Sequence, residues 1–529
     1  VPPILTRVRS RLVAAAVTSS TLLTVGLGAG LVSGAHADSA NKPLPIDLAT
    51  ATAGQLEKLL DGGKITSKGL TEAYLNRIAL LNSRGPGLNA VRALNPSAVK
   101  DAAGLDAERK RHRVRGPLHG IPVLVKDNID VKGMPTTAGS VALKNSYPKD
   151  DAPVVQRLRR AGAVILGKTN LTEFANFMTS GMPSGYSSLG GQVLNPYDVS
   201  QTPSGSSSGS GSAAASGLSA LTVGTETSGS ILSPSNANSL VGVKPTVGLI
   251  SRTGVVPISA TQDTAGPMTR SVYDAAAMMT WMKGVDPEDP ATEAGAPYAS
   301  TDYTRSLSTT ALQGTRLGYV ESADPVYAEA LNVLRREGAT LVPVTLGTSG
   351  LPPSILTYEF KRDLNAYLAR LPQNAPMETL ADIITFDDAN AQVATKFGQT
   401  QLTASQAVDL TADKAQYEAD REAGLQQSRA RIDDALAQND VKAILFPGSG
   451  SAGIGARAGY PTVIVPAGYS AANRRPVGLS FLGTAFSEAK LLGLAYDYEQ
   501  ASHAWRPPSQ INPTLFQCAV PPAPKHCAP

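Results

Sequence analysis

Nine consecutive residues, Ser204 to Ser212, are only glycine or serine, and the run passes directly into Ala213, Ala214 and Ala215 and then the apolar stretch Leu218 to Val223. Gly/Ser tracts are more often flexible linkers than parts of a site. A linker would not be joined so tightly to packed structure, with a small-residue helix start immediately after it. A second glycine-rich turn follows, Gly224-Thr225-Glu226-Thr227-Ser228-Gly229-Ser230, where small residues can aim successive N–H groups into one concavity and end on a hydroxyl. The two turns are expected to bring Ser206 and Ser230 together.

The N-terminus reads as a secretory leader. Arg7, Arg9 and Arg11 make a basic region, Leu12 to Leu31 is largely apolar and uncharged, and Ala35-His36-Ala37 supplies small residues at a cleavage site. A membrane anchor is the competing reading, but the Ser, Thr and Gly content and the small-residue end favour cleavage, with no stable membrane association afterwards. Removing residues 1–37 deletes three arginines and no acid, so the formal charge falls from +4 to +1. That balance, with Arg109 to Arg115 read as a solvated helix end, argues against a nucleic-acid partner. The only two cysteines, Cys518 and Cys527, lie near the C-terminus and are expected to form a disulfide in an oxidising compartment. Two cysteines and five histidines, one of them in the leader, make a metal centre unexpected.

In the mature chain, Leu56, Leu59 and Leu60 end at Gly62-Gly63, and Ser67 is expected to cap a helix carrying Leu70, Tyr74, Ile78 and Leu81. A charged helix runs from Ser97 to about Arg111. Gly116 to Asn128, GPLHGIPVLVKDN, reads as a turn feeding a buried strand that ends on Lys126. A lysine there is ordinarily a solvated edge residue. Here the residues before it are wholly apolar, and Asp127-Asn128 and Gly133 turn the chain back into the protein. A helix at Val154 to Ala161, a strand at Val164 to Leu166 and a short helix from near Thr172 continue an α/β alternation. Short strands and turns are expected over Val241 to Ile258, and strands again at Ala443 to Phe446, Thr462 to Val465 and Gly478 to Leu482. The helix-rich, polar segment of about 300–440 is expected to cover a core made by roughly 45–300 and 440–505, with an irregular tail over 506–529.

Three serine-hydrolase arrangements compete. Gly205-Ser206-Ser207-Ser208-Gly209 matches a nucleophile elbow centred on Ser207, but no apolar strand precedes it and the histidines remaining as a base are His112, His119, His503 and His526. Ser146-Tyr147-Pro148-Lys149 has S-x-x-K spacing, yet its proline breaks the helix that would align the pair. The third uses Lys126. Here PLHGIPVLVKDN, GKTNLTEF, the Gly/Ser run and GTETSGSI followed by VGVKPTVGLI together resemble the amidase signature family, in the right order and over nearly the whole mature chain. NPYDVS, ISRTGVVPISATQDTAGPM, AGYPTVIVP and PVGLSFLGTAFSEAKLL make it most similar to the bacterial peptide amidases.

The resemblance implies an α/β/α fold around a large mixed sheet and a triad of Lys126, Ser206 in a cis peptide, and Ser230. It implies that a carboxamide is hydrolysed through an acyl-enzyme, without cofactor. Neutral Lys126 would take the proton of Ser206, and Ser206 that of the nucleophile Ser230, which requires the lysine pKa to fall from about 10.4 to roughly 7–8. Backbone N–H groups of Thr227, Ser228, Gly229 and Ser230 would form the oxyanion hole. Ser228 stands where many members have glycine. Ser207, Asn170, Glu173 and Asp263 match family motifs and are expected to support the site by hydrogen bonding, with Ser207 either in the relay or lining its loop. The expected product is a secreted monomer acting on a small-molecule or peptide amide. An esterase or arylamidase with the same triad, a transamidation subunit of the aminoacyl-tRNA pathway and a non-catalytic binding protein of this fold remain open.

Overall fold

The computed structural model of the protein describes residues 44–347 and 349–513. The leader expected at 1–37 and the cysteine pair Cys518 and Cys527 lie outside the described residues. Thirteen strands are present among them: β1 (Val91–Leu94), β2 (Pro122–Lys126), β3 (Val164–Thr169), β4 (Tyr186–Ser187), β5 (Gly191–Gln192), β6 (Leu221–Glu226), β7 (Val241–Lys244), β8 (Thr264–Thr269), β9 (Arg316–Tyr319), β10 (Thr340–Pro343), β11 (Ile444–Pro447), β12 (Thr462–Tyr469) and β13 (Pro476–Leu482). β4 and β5 pair with each other. The rest form one sheet in the order β1-β3-β2-β6-β8-β7-β12-β13-β11-β9-β10. Two parallel runs, β3-β2-β6 and β11-β9-β10, are joined by antiparallel neighbours, so the sheet is mixed and helices flank it.

β2, β3 and β6 are buried along their whole length, which is why β2 up to Val125 and the first half of β3 read as continuous apolar runs rather than alternating ones. Their C-terminal ends come side by side because the strands are parallel, and Lys126 is the last residue of β2. The Gly/Ser run then returns over these ends as a helix, Ser208–Ala215, every residue of which is buried. It begins five residues earlier than the alanines alone suggested. The reason is close approach: a Cβ on Gly209 would lie 2.3 Å from the carbonyl oxygen of Asn170 and 2.4 Å from that of Ala90. The serines are tolerated there because their hydroxyls find carbonyls, Ser210 donating to Val223 (3.0 Å) and Ser212 to Leu194 (2.9 Å).

Several elements differ from expectation. The apolar stretch Leu218 to Val223 only partly overlaps β6, which runs Leu221–Glu226, so Gly224, Thr225 and Glu226 are strand rather than turn. Thr66, not Ser67, caps the second helix; Ser67 donates instead to the Gly120 carbonyl at 2.9 Å. Within the short helix at Glu173–Asn176, Phe174 and Ala175 have left-handed φ of 45° and 53°. β8 was hidden by Gly266 and Pro267, poor strand formers. Its glycine is required because a Cβ would sit 2.0 Å from the Val243 carbonyl, and pairing with β7 involves only Thr269 and Met268 and so stops short of the proline. Of the segment read as a cover, 316–343 supplies β9 and β10 to the sheet, and the helices Leu356–Leu368, Leu380–Ala389 and Thr400–Ala407 pack Phe360, Leu364, Ile383 and Leu402 against Phe174, Phe177 and Met178.

Gly209→Ala is expected to destabilise the protein by about 2 kcal/mol or more, because both groups in the way are main-chain carbonyls that cannot rotate aside. An unchanged midpoint in thermal or urea unfolding would contradict the close approach.

Candidate active site

Lys126 is fully buried, and its Nζ lies 2.8 Å from Ser206 Oγ, 2.8 Å from Thr225 Oγ1 and 3.3 Å from the Thr225 carbonyl oxygen. All three neighbours are uncharged. Burial accordingly lowers the lysine from 10.5 to about 7, against the opposing pull of the Asp263 and Glu226 charges. The adjacent Asp127 does not compete for it, because that carboxylate is held by Arg92, by Lys168 at 3.3 Å and by the Thr137 hydroxyl. This ion cluster ties the end of β2 to β1 and β3.

The Gly205–Ser206 peptide is cis, as the resemblance implied. The main chain around it is fixed on both sides: the Thr172 amide donates to the Ser206 carbonyl (3.1 Å) and the Ser207 amide donates to the Ser230 carbonyl (3.2 Å). The second bond joins the two glycine-rich segments and sets Ser230 beside the Ser206-Ser207 peptide. Ser207 itself makes a two-bond clip, its Oγ donating to the Thr225 carbonyl (3.0 Å) and accepting from the Thr225 amide (3.2 Å). A hydroxyl so committed to backbone belongs to the frame, which also removes Ser207 as the nucleophile of an elbow. His119, the buried histidine of the described chain, has its Nε2 3.0 Å from the Leu105 carbonyl and serves packing.

The turn from Thr227 to Ser230 follows β6. Glu226 turns its Oε2 onto the amides of Ile231 (2.8 Å) and Leu232 (2.9 Å), and among the described residues the amides of Ser228, Gly229 and Ser230 donate to no protein acceptor. Gly229 has φ of +84°, a conformation that disfavours any side chain. Ser228 is exposed, so a hydroxymethyl at a position often glycine is accommodated without altering the backbone donors. Asp263 braces this turn. Its Oδ1 accepts from the Thr227 hydroxyl and its Oδ2 from the amides of Ile258 (2.8 Å) and Ser259 (2.9 Å), while Gln262 Nε2 donates to the Thr227 carbonyl (3.2 Å). Burial raises the Asp263 carboxyl to about 6, with the Thr227 hydroxyl and the two amides opposing.

Asn170 and Glu173 form neighbouring walls. Asn170 Oδ1 accepts from the Leu171 amide (2.9 Å) and the Ser187 hydroxyl (3.0 Å), and Glu173 accepts from the amide (2.6 Å) and hydroxyl (2.8 Å) of Ser188. Both therefore fix the β4–β5 hairpin, and neither is bonded to the lysine or the two serines. Burial raises Glu173 to about 8, so it is protonated or partly so near neutrality. A cleft of about 790 Å³ opens between residues 252–263 and helix Leu356–Leu368. Asp263 contributes to its wall, but Ser206 and Ser230 do not line it. Thr225, Asn128, Thr172 and Gln262 carry contacts that sequence reasoning missed; for Thr225 and Asn128 the available signal was their place inside the motifs GTETSGSI and PLHGIPVLVKDN.

An amidase family model matches residues 69–454. This chain belongs to the amidase family. A solved structure of native peptide amidase from Stenotrophomonas maltophilia is 44% identical, with a TM-score of 0.82, covering 88% of this chain and 99% of that one. A protein of Arabidopsis thaliana named probable amidase is 40% identical over 476 residues, 87% of this chain and 92% of its own length. A glutamyl-tRNA(Gln) amidotransferase subunit of Chloroflexus aggregans is 34% identical over 498 residues, 85% and 96% of the two chains. The fold is thus the amidase signature fold, and the protein is an amide-hydrolysing enzyme.

Within this amidase the two serines after Gly205 separate by their partners. Ser207→Ala is expected to lower stability by about 1–3 kcal/mol, because the Thr225 amide loses the hydroxyl it donates to while the carbonyl keeps Lys126, and to cost less than about tenfold in kcat. A loss of kcat by roughly a thousandfold in a variant of unchanged Tm would make Ser207 part of the relay instead of the frame.

Proposed function

We propose that the enzyme hydrolyses a terminal carboxamide, with peptide amides the favoured class, by a relay from Lys126 through Ser206 to Ser230. The observation that carries the relay is the 2.8 Å contact of a buried lysine with Ser206 Oγ and with no carboxylate bonded to the amine. Neutral Lys126 accepts the Ser206 proton as Ser206 accepts that of Ser230, and Ser230 Oγ adds to the carbonyl carbon. The negative charge forming on the carbonyl oxygen is met by the unengaged amides of the 228–230 turn. Collapse expels ammonia, protonated by the same relay in reverse, and leaves an acyl ester on Ser230. Water, deprotonated by the relay, releases the acid.

The similarity to a peptide amidase along almost its entire length supports the substrate class. Transamidation is the second reading, supported by the similarity to a glutamyl-tRNA(Gln) amidotransferase subunit. Export to an oxidising compartment, as the basic-then-apolar N-terminus suggests, favours the stand-alone hydrolase; a protein retained in the cytoplasm with Arg7 to Arg11 still attached would remove that support.

Ammonia release should be faster from peptide amides than from small aliphatic amides or free glutamine, and kcat/KM should rise with an apparent pKa of about 7, since Lys126 must lose its proton to act. Lys126→Arg keeps a charge that cannot deprotonate and should cost at least about a thousandfold in kcat/KM with the fold intact. Near-normal turnover in that variant would sink the relay, whereas preference for free glutamine would sink only the substrate assignment.

A further inference from the structure

A base and its conjugate acid need different surroundings, and Lys126 has to be both. As a neutral amine it offers two N–H donors and one lone pair; as an ammonium it offers three donors. Buried donors without acceptors are costly, more so when charged. Three oxygens lie around Nζ, namely Ser206 Oγ, Thr225 Oγ1 and the Thr225 carbonyl, so one residue supplies two of them. The carbonyl can only accept. The Thr225 hydroxyl also accepts from Asn128 Nδ2 at 3.0 Å, which helps to hold it in place.

We infer that Thr225 is a positioning residue for Lys126: its hydroxyl and carbonyl take two N–H groups in both protonation states, so that the remaining valence of the amine always faces Ser206. When the amine is neutral, that valence is the lone pair. When the Ser206 O–H bond breaks and an N–H bond forms on Nζ, the new hydrogen points back at Ser206 Oγ, and no contact has to rearrange. The inference rests on reading Lys126 as the base. It does not rest on a carboxylate. The charged groups facing the amine are Glu226, whose Oε2 is bonded to Ile231 and Leu232, and Asp263, which is bonded to Thr227, Ile258 and Ser259, and neither bonds to Nζ. Asp127, next in sequence, is held by Arg92 and Lys168.

Thr225→Val keeps the shape and the carbonyl but deletes the hydroxyl. The ammonium then lacks an acceptor while the neutral amine loses less, so the lysine pKa must fall and the acid limb of kcat/KM must move to lower pH, by about one unit. The plateau should fall by about tenfold or more, because the freed N–H competes for Ser206 and the weaker base drives proton transfer less. Thr225→Ser retains the hydroxyl and should restore both the limb and the plateau to within about threefold. The measurement is the pH profile of ammonia release for the wild type, Thr225→Val, Thr225→Ser and Lys126→Ala, with unfolding midpoints for each. Thr225→Ala reads the same shift should the valine variant not fold. A folded Thr225→Val or Thr225→Ala enzyme with an unmoved acid limb overturns the inference and leaves the relay standing, provided Lys126→Ala is inactive. Substantial turnover by Lys126→Ala overturns the relay and the inference together.

Discussion

Everything at this site follows from placing an amine at the end of a buried strand. Removing an ammonium from water costs several kcal/mol unless it is paired, and the sheet shows two answers to that cost. Lys168 is buried to the same degree, and burial lowers its pKa too, but Asp127 at 3.3 Å opposes that fall. Lys126 has only hydroxyl and carbonyl oxygens, and its proton affinity drops towards neutrality instead. Lys244, bonded to the Pro245 carbonyl, is lowered less, to about 8. Among these three lysines, Lys126 is the one whose amine meets a serine hydroxyl and has no carboxylate bonded to it.

That arrangement demands close packing. Ser206 reaches Lys126 because the helix after it lies directly on neighbouring backbone, with Gly209 against the carbonyls of Asn170 and Ala90. A Cβ on Gly205 would be 2.4 Å from Thr172 Oγ1, and one on Gly224 would be 2.9 Å from Ser207 Oγ. The glycines thus act as spacers of zero thickness, and the serines between them satisfy the backbone that such packing buries. The 227–230 turn is held through Thr227, gripped at its hydroxyl by Asp263 and at its carbonyl by Gln262.

The strand ending on Lys126, the late strands at 444–447 and 476–482 and the joining of the two glycine-rich segments, seen between the Ser207 amide and the Ser230 carbonyl, were legible because burial on both faces and small-residue spacing leave direct marks on a sequence. β8 left no such mark. Its Gly266 and Pro267 satisfy tertiary demands, a close carbonyl and the end of pairing with β7, that override strand propensity. Thr225 was read as turn for the same reason: a strand boundary three residues further on is set by pairing with β8, which extends to Glu226 opposite Thr264.

Residue type, glycine spacing and apolar runs are local properties, so the identity of the reactive groups and the order in which the chain presents them are written in the sequence. Their states are not. Whether Lys126 is charged, whether Ser207 relays a proton or clips a strand, and whether Asp263 holds a turn or faces a substrate depend on which oxygens lie within about 3 Å, and those oxygens come from residues tens of positions away. Proton affinity is a property of that surrounding field, which exists only once the chain has folded, and no local pattern encodes it.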